Sequence, residues 1–560
     1  MILELTRFLA STLILIFPGI FLCRANRMGS NWLETVIHGS CLGLALAVYL
    51  ASLISHFDLR WFYAVWACVA ILSLILNLRR KPRPAETKPV NRWLILVLLI
   101  VAASRYAIAL PQELPDGWDP SFHCLLARKI QIAHHAISDW TPFESVALNY
   151  PTGSHTLVAV LSTITGLPVH TIFKDLIPFL GIWMTGQVFL LARRSGLAES
   201  AALFAALAYG LWSDFGSINY YGWGGLPNEI GMLFFLSMLT AWLESRTAVM
   251  SIQWAALILS HHHVMLTSAA IAAVTLAWPG KIDRRRIVVA GVSAAIIDTF
   301  FLVPYAAKIS TLASTHVLHS GENRLDLFGY VLPSMGLAFL IVSAAGIVIA
   351  IRQRRSIPTH PIAMIAVLTL TALYFICEYL VPLFTGSTIL TPSRFPTDMA
   401  CFLALFAGCA AEIVQQKLRL PTAIVIVLTL LIALTLLPTW RSEWKGQGEM
   451  PDYLAACQWI NQNTPPATYV ISDASINSID NQLSWIPYLT WRRGAYTPLP
   501  DSEPLEGIPH PRDRAQMLIA QGGPSSDPVV AIVGTTNLGD LPVLWSSESG
   551  IRVVRIRPRP

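Results

Sequence analysis

Residues 93–119 read WLILVLLIVAASRYAIALPQELPDGWD, an apolar run that ends in a short acidic segment. The apolar part, 93–110, is long enough to cross the ~30 Å hydrocarbon core of a bilayer as a helix. A loop rich in ionisable and turn residues follows at 111–170, and loops of this length inside a compact framework are usually functional or disordered. The stretch therefore predicts a membrane helix that opens onto polar chemistry at one face of the membrane.

The composition of the whole chain agrees with a membrane protein. Of its 560 residues, 54% are hydrophobic and 13% are charged, and the mean hydropathy is +0.55. A soluble protein usually carries about 25% charged residues. The net charge of +6 does not indicate a nucleic-acid partner, because the Lys and Arg residues lie in short loops rather than in one basic patch. The expected partner of this chain is the lipid bilayer.

The apolar runs predict about fourteen membrane helices. Runs of spanning length occur at 3–22, 33–54, 60–78, 93–110, 171–192, 226–244, 287–305, 327–350, 361–383, 395–414 and 421–438, and shorter ones at 199–213, 249–261 and 263–278. The run at 153–166 is expected to be a re-entrant or interfacial helix. The stretch 249–278 is expected to be two short spans with a break at His261 to His263.

Basic residues predict the orientation of these helices. The densest basic loop, Arg79 to Lys88, is assigned to the cytoplasm by the positive-inside rule. Alternation from this loop puts the other strongly basic loops on the same side. The loop 111–170 and the tail after Trp440 are then extracytoplasmic, and the protein is expected in the plasma (inner) membrane.

The same pattern divides the chain into four predicted regions. These are N-terminal transmembrane helices at 1–110, an extracytoplasmic loop with interfacial helices at 111–170, a transmembrane core at 171–438 and an extracytoplasmic α/β domain at 439–560. In the last region, helical spacing is present from Asp452 to Asn463. Strands are predicted at Thr468 to Ile471, Pro528 to Val533 and Ile551 to Ile556.

Two carboxylates stand directly outside the fourth predicted span. Asp116 and Asp119 are followed by His123, at the start of a predicted amphipathic helix. A carboxylate shielded from bulk water can act as a general base towards a hydroxyl, and a neighbouring imidazole or cation can tune its pKa. The alternative is that Asp119 caps the helix that begins at Pro120 or Ser121, and the two roles are compatible.

Two further outward segments combine turn residues with an ionisable group. Asn149 to His155 forms a turn that leads into an apolar helix, and such a turn requires no function. The segment 219–229 contains glycines that permit close backbone approach. It ends on Glu229 at the outer end of a span, where a carboxylate costs free energy unless it is paired or faces water.

The last two outward segments carry groups that could bind phosphate. The consecutive residues His261 to His263 cannot all face one point, so a three-ligand metal site from this run alone is not expected. One of them could contact a phosphate or a metal ion. Arg394 stands at the outer mouth of a span and can grip a phosphate with paired charged hydrogen bonds. The alternative is an interfacial arginine paired to Asp398 or Glu378.

The predicted topology places all five segments on one side of the membrane. Ionisable side chains at the ends of spans cost free energy and are usually retained for a function. We therefore expect the five segments to share one extracytoplasmic site.

The motifs of the outward segments resemble those of a known family. Asp116 to His123, followed by Tyr150-Pro151-x-Gly153-x-His155, resembles the first outer loop of the GT-C superfamily of membrane glycosyltransferases, which use polyprenyl-phosphate-linked sugars as donors. The segment Met450 to Ser472 is similar to the opening of the extracytoplasmic domain in many members. The spacing of the turns, with extra leading spans, is nearest to an uncharacterised bacterial polytopic subgroup, and the likeness covers residues 93–480.

The resemblance implies a fold and an activity. The fold is an α-helical polytopic membrane protein, GT-C-like, with a small C-terminal soluble α/β domain. The activity is transfer of a sugar from a polyprenyl-phosphate donor to a glycan, lipid or protein acceptor. Asp119 matches the family's catalytic base best and Asp116 second. The predicted substrate-binding residues are His123, His155, Glu229, His262, His263 and Arg394.

Two departures and two alternatives accompany this expectation. The family's catalytic loop usually follows the first span, whereas here it follows the fourth. The tail carries no clear Trp-Trp-Asp motif, which argues against a protein-glycosylating oligosaccharyltransferase. A divalent cation is left open, with Asp116, Asp119, Glu229 and His263 as its candidate ligands. The alternatives are a transporter or flippase and a noncatalytic envelope assembly protein.

Overall fold

The computed structural model is 78% helical and has a small β-sheet near its C-terminal end. It describes residues 2–79, 91–115, 119–143, 148, 150–213, 220, 223–279, 282–313, 327–352, 361–385, 392–442, 450–472, 485–493, 528–534 and 541–556. Asp116, the second predicted carboxylate, lies outside the described residues.

The helices follow the apolar runs of the sequence. In chain order they are α1 (Ile2–Ala25), α2 (Trp32–Ser55), α3 (Trp61–Arg79), α4 (Arg92–Ala109), α5 (Pro120–Ala133), α6 (Gly153–Thr165), α7 (Val169–Arg194), α8 (Glu199–Leu211), α9 (Leu226–Leu243), α10 (Thr247–Ser260), α11 (His262–Ala277), α12 (Arg284–Ile297), α13 (Thr299–Ala313), α14 (Leu332–Met335), α15 (Leu337–Arg352), α16 (Pro361–Phe375), α17 (Val381–Thr385), α18 (Arg394–Leu418), α19 (Thr422–Ser442), α20 (Met450–Asn463) and α21 (Trp485–Thr490). One-turn π-helices occupy Leu327–Val331 and Ile376–Leu380.

The described helices include fewer full-length spans than the apolar runs predict. Eight are long and apolar enough to cross a membrane, and ten if each of two bent helix pairs counts as one span. Four more apolar helices, α8, α10, α11 and part of α19, are shorter. The chain is an integral membrane protein, and the figure of about fourteen spans stays a prediction. The expected break at the histidine run is present, since α10 ends at Ser260 and α11 begins at His262.

The candidate spans differ strongly in burial. Within an apolar stretch of 18 residues in each helix, 94% of the residues in α9 and 89% in α7 are buried inside the protein, compared with 17% in α3. α3 therefore presents most of its surface outwards, where lipid would surround it. The enclosed helices are those in which a polar side chain can be satisfied by protein partners, and α9 carries Asn228 and Glu229.

Two short helices lie in the loop between the fourth and fifth long helices. α5 and α6 are not among the candidate spans. They pack against each other and against α7. Gly153 begins α6, and a Cβ there would stand 2.6 Å from the carbonyl oxygen of Leu259 at the end of α10. Glycine therefore lets the start of α6 lie against the α10–α11 break.

The described part of the tail contains a helix and a mixed four-stranded sheet. The strands are β1 (Tyr469–Ser472), β2 (Val529–Val533), β3 (Val543–Ser546) and β4 (Arg552–Ile556), in the spatial order β1-β2-β4-β3. β1 and β2 are parallel, and β4 is antiparallel to both β2 and β3. The predicted helix and three predicted strands are present. β3 was not predicted, since its sequence Val-Leu-Trp-Ser shows no alternation of apolar and polar residues, and none of its residues is fully buried. The four region boundaries stay predictions.

Candidate active site

Asp119 immediately precedes α5, and its backbone is fixed from two sides. Its N–H donates to the Trp223 carbonyl oxygen at 3.2 Å, and its own carbonyl accepts from the His123 N–H at 3.1 Å. Asp119 occupies the N-cap position, but its side chain makes no capping hydrogen bond. The carboxylate is turned towards Arg394 instead, with 3.3 Å between Oδ2 and a guanidinium nitrogen. The capping role expected from the sequence is therefore wrong at the level of the side chain.

Arg394, the first residue of α18, connects three chain segments. Its guanidinium donates to Asp119 and, at 2.7 Å, to Nε2 of His261, and it lies over the Trp223 ring at 4.8 Å. Because arginine has donors only, Nε2 of His261 is the acceptor and its proton is on Nδ1. The Arg394 and Asp119 side chains are 14% and 18% exposed. The pair is shielded yet open to a ligand.

A glycine turn brings Trp223 to the start of α5. Gly224 has a φ of +77°, a left-handed conformation that side chains rarely adopt. A Cβ at this position would stand 2.3 Å from the ring of Pro120. Only glycine fits here without displacing the first turn of α5. The close approach expected for this glycine segment is present.

Behind the Asp119–Arg394 pair, aromatic rings meet around Tyr150. Its ring centroid lies 5.8 Å from that of His261, 5.2 Å from that of His262 and 5.5 Å from that of His155, in edge-on contacts. The hydroxyl of Ser154 donates to the Ser260 carbonyl at 3.0 Å and holds this turn against the α10–α11 break. Aromatic packing of this kind fixes ring orientation as well as burying apolar surface.

His123 and His155 form a buried pair next to Tyr150. Nδ1 of His123 lies 2.9 Å from Nε2 of His155, so one ring donates and the other accepts. Burial lowers the pKa of His155 to about 3, and burial and the neighbouring His155 lower the pKa of His123 well below its usual value. Both rings are therefore neutral at physiological pH.

The five sequence segments thus meet in one place. They contribute Asp119, Tyr150 with His155, Trp223, His261 and Arg394, and the contacts described above join them into one cluster, here called the Arg394 cluster. It is a shielded mouth in which a carboxylate and a neutral imidazole each lie within hydrogen-bonding distance of one guanidinium. Such a set can accept a proton and can hold an anion.

Comparison with solved structures decides the fold. No protein-family model and no curated protein matches the sequence. The archaeal oligosaccharyltransferase AglB from Archaeoglobus fulgidus, in complex with an inhibitory peptide and a dolichol-phosphate, is similar at a TM-score of 0.53, with 15% identity over 79% of this chain and 69% of that chain. ArnT from Cupriavidus metallidurans, bound to undecaprenyl phosphate, gives 0.52, with 14% identity over 82% and 97%. The arabinofuranosyltransferase AftD from Mycobacteria gives 0.50, with 15% identity over 84% and 40%. All three are GT-C glycosyltransferases.

This chain has the GT-C fold. The resemblance found in the motifs is confirmed at the level of the fold, which is as far as identities of 14 to 15% reach. The helix ends that carry the motifs belong to different parts of the chain, and the fold brings them together.

A second polar group lies one helical turn below Arg394. Asp398 accepts from Nδ2 of Asn228 at 3.1 Å and pairs with Nε2 of His263 at 3.2 Å. All three side chains are no more than 1% exposed. The alternative interpretation paired Arg394 with Asp398 or Glu378. Among the described residues, Arg394 instead pairs with Asp119 and His261. His263 faces Asp398 and supports the helix break from within.

The metal-ligand set proposed from the sequence is not assembled among the described residues. Glu229 is fully buried in α9, and neither carboxylate oxygen has a hydrogen-bond partner within the described part of the chain. In that part, no group of three or more His, Cys, Asp or Glu side chains could hold a metal ion. Asp116 lies outside it, so a divalent cation stays a prediction.

Sequence reasoning missed several members of the site. Tyr150 and Trp223 were inside the motifs but were assigned no role, although aromatic residues at a polar mouth are a usable signal. Asp398 was considered only as a partner of Arg394. Its true partners, Asn228 and His263, are far away in the sequence, and no local pattern could have paired them.

Proposed function

We propose that this protein is a glycosyltransferase that moves a sugar from a polyprenyl-phosphate-linked donor to an acceptor hydroxyl at the extracytoplasmic face of the membrane. The observation that carries the proposal is the sharing of one guanidinium, Arg394, between the carboxylate of Asp119 and His261 in a GT-C fold. AglB and ArnT, which are similar in fold, were solved with dolichol-phosphate and undecaprenyl phosphate, respectively. These lipids support the same class of donor here.

Arg394 and His261 supply the donors that a phosphate requires. The guanidinium fork matches phosphate geometry, and its partial burial strengthens each hydrogen bond. Nδ1 of His261 has no hydrogen-bond partner among the described residues, so its N–H is free to donate. An arriving phosphate would share Arg394 with Asp119. Donor binding and release of the carboxylate for catalysis are thereby linked.

The reaction then needs one general base. Asp119 takes the proton of the acceptor hydroxyl while that oxygen attacks the anomeric carbon of the sugar. The bond between that carbon and the phosphate oxygen breaks, and the polyprenyl phosphate leaves with the electron pair. Arg394 and His261 stabilise the negative charge that develops on it.

The remaining predicted residues have supporting parts in this scheme. The neutral pair His123 and His155 forms the wall behind Tyr150, and His262 stacks on His261 at 4.9 Å. These rings orient the phosphate ligand rather than exchange protons with it. Glu229 lies below the mouth and is assigned no substrate contact. A role for Asp116 in holding the acceptor or a cation remains part of the proposal.

The donor class is tested by reconstituting the purified protein in liposomes with membrane-extract acceptors. Radiolabelled sugars are supplied either on undecaprenyl phosphate or as nucleotide sugars. We expect incorporation from the lipid-linked sugars alone, with inhibition by free undecaprenyl phosphate. Incorporation directly from nucleotide sugars would contradict the proposal, and so would movement of labelled lipid across the bilayer without transfer.

The membrane face is tested with fusions after Pro560. Alkaline phosphatase is active only outside the cytoplasm, whereas a cytoplasmic fluorescent protein folds only inside. We expect high phosphatase activity and no fluorescence. The reverse pattern would put the tail in the cytoplasm and would overturn the assigned face.

A further inference from the structure

A pocket separate from the Arg394 cluster lies at the other end of α5. It has a volume of about 270 Å³ and is formed by the end of α5, the following segment 135–142 and Trp491, which directly follows α21. This cavity is here called the loop pocket. It is bordered by both the loop region and the tail, and no step of the proposed reaction uses it.

Trp491 forms an aromatic wall of the loop pocket and is held in a fixed position. Its φ is +53°, a left-handed conformation that is uncommon for a bulky residue and tends to occur at functional sites. The guanidinium of Arg128 lies over one face of the indole, 5.0 Å from the ring centroid, and the Phe143 ring meets the indole at nearly a right angle at 5.1 Å. The indole is half-buried. It is a preorganised flat surface of the kind that packs against the C–H face of a sugar ring, because the π face is electron-rich.

The polar groups of the loop pocket suit hydroxyls. Asp139 accepts from the Thr141 N–H at 2.9 Å and from the Ser138 hydroxyl at 3.3 Å, and its two oxygens can accept further bonds. The exposed side chains of Ser138 and His135 stand beside it. The carboxylate accepts hydrogen bonds, whereas the hydroxyl and imidazole groups can both donate and accept them. Together these groups match a ligand with many hydroxyls.

The charges that line the loop pocket favour a neutral ligand over an anionic one. The ammonium of Lys129 donates to the carbonyl oxygen of Asp139 at 2.7 Å and lies 5.7 Å from the Trp140 ring centroid. Lys129 is the only lysine or arginine among the residues that line the pocket, and the neighbouring Asp139 carboxylate offsets its charge. An anionic ligand would meet the repulsion of that carboxylate. A neutral ligand with hydroxyls meets no such repulsion.

The loop pocket is joined rigidly to the reaction centre. α5 begins next to Asp119 and ends at the pocket, and its 14 residues span ~21 Å at 1.5 Å per residue. The tail side is fixed as well, because the Tyr488 hydroxyl lies 2.9 Å from Nδ1 of His170 and the Tyr488 carbonyl accepts from Arg128. A chain held at the loop pocket would therefore reach the Arg394 cluster at a set distance.

We propose that the loop pocket binds a neutral sugar residue of a glycan acceptor, several residues away from the hydroxyl that receives the transferred sugar. That the bound sugar belongs to an acceptor rests on the proposed glycosyl transfer. That the pocket binds a neutral sugar rests on the pocket alone. It makes the acceptor an extended glycan rather than a short lipid headgroup or a peptide. Trp491 supplies stacking and Asp139 supplies hydrogen bonds.

Binding is measured without catalysis. The full chain in detergent is mixed with manno-, xylo- and malto-oligosaccharides, and saturation transfer from protein to sugar protons is recorded by NMR. We expect one of these neutral series to bind the wild type, with at least ~10-fold weaker affinity in Trp491→Ala and Asp139→Asn. Trp491→Phe keeps a flat ring and should retain most of the affinity. Equal binding by wild type, Trp491→Ala and Asp139→Asn would overturn the proposal, as would binding of none of the series.

Controls separate this inference from the proposed function. Asp119→Asn should bind oligosaccharide like the wild type, since Asp119 lies at the far end of α5. Asp139→Asn leaves the packing of Trp491 in place, so it decides the matter if Trp491→Ala fails to fold. Binding that persists when no lipid-linked sugar is transferred would uphold the pocket and count against the proposed function. Active transfer with the wild-type KM for long acceptors in both Asp139→Asn and Trp491→Ala would refute the pocket alone.

Discussion

Replacement of Arg394 by Gln tests the phosphate-binding part of the mechanism. The guanidinium donates to Asp119 at 3.3 Å and to His261 at 2.7 Å, and the same N–H groups are those available to a leaving phosphate. A hydrogen bond to a charged group contributes about 1.5–3 kcal/mol. The lower end of this range gives the smallest effect that the mechanism allows. Loss of two such bonds in the transition state costs about 3 kcal/mol, which is about a 10²-fold lower rate.

Arg394→Lys distinguishes charge from geometry. A lysine ammonium keeps the charge but lacks the planar fork that reaches two partners at once. We expect it to recover about one of the two bonds, and therefore a rate about 10-fold below that of the wild type. The assay is initial-rate transfer from a lipid-linked sugar, with Arg60→Gln as the control, because Arg60 forms an exposed pair with Asp58 outside the cluster. Wild-type rates in Arg394→Gln, in a protein of normal thermal stability, would refute the reasoning.

Three further predictions concern stability. The pKa of His155 is lowered to about 3 in the folded protein, compared with about 6.5 in the unfolded chain. The contribution of this residue to stability is therefore complete above pH ~6.5 and decreases as the pH falls, by ~2 kcal/mol at pH 5. His155→Gln should flatten that part of the plot of melting temperature against pH. Gly224→Ala should destabilise the protein by at least ~2 kcal/mol, because its Cβ meets the first proline of α5. Its control is Gly166→Ala: Gly166 has a φ of +68° and no atom within 4 Å of an added Cβ, so this substitution should cost only the conformational part, ~1 kcal/mol. Asp398→Asn should lower stability by ~1–3 kcal/mol, and an unchanged melting temperature would argue against the buried pair.

The positions of the helices could be predicted because each depends on a local run of apolar residues. The break at His261 followed from the alternation of the basic loops, which requires the chain to cross the membrane twice between 249 and 278. The number of crossings could not be fixed in this way, since α8, α10 and α11 are shorter than a span. Their depth depends on the helices around them.

The meeting of the five segments could be predicted in outline and not in detail. Loop charge alone put Asp119 and Arg394 on one side of the membrane, and the resemblance singled out Asp119. Their direct contact depends on the Gly224 turn against α5, and that close approach is a long-range packing event. The pairing of Asp398 with His263 likewise joins residues that are distant in sequence. Local pattern carries no information about such pairs.

The general base is tested most directly by comparing Asp119→Asn with Asp58→Asn in the reconstituted transfer assay. Asp58 carries the same substitution in an exposed ion pair outside the cluster. The mechanism predicts at least ~10²-fold slower transfer in Asp119→Asn, an unchanged melting temperature and binding of undecaprenyl phosphate at least as tight as in the wild type, with Asp58→Asn like the wild type. Transfer by Asp119→Asn at the wild-type rate would show that another group accepts the proton, and the central role given to Asp119 would be wrong.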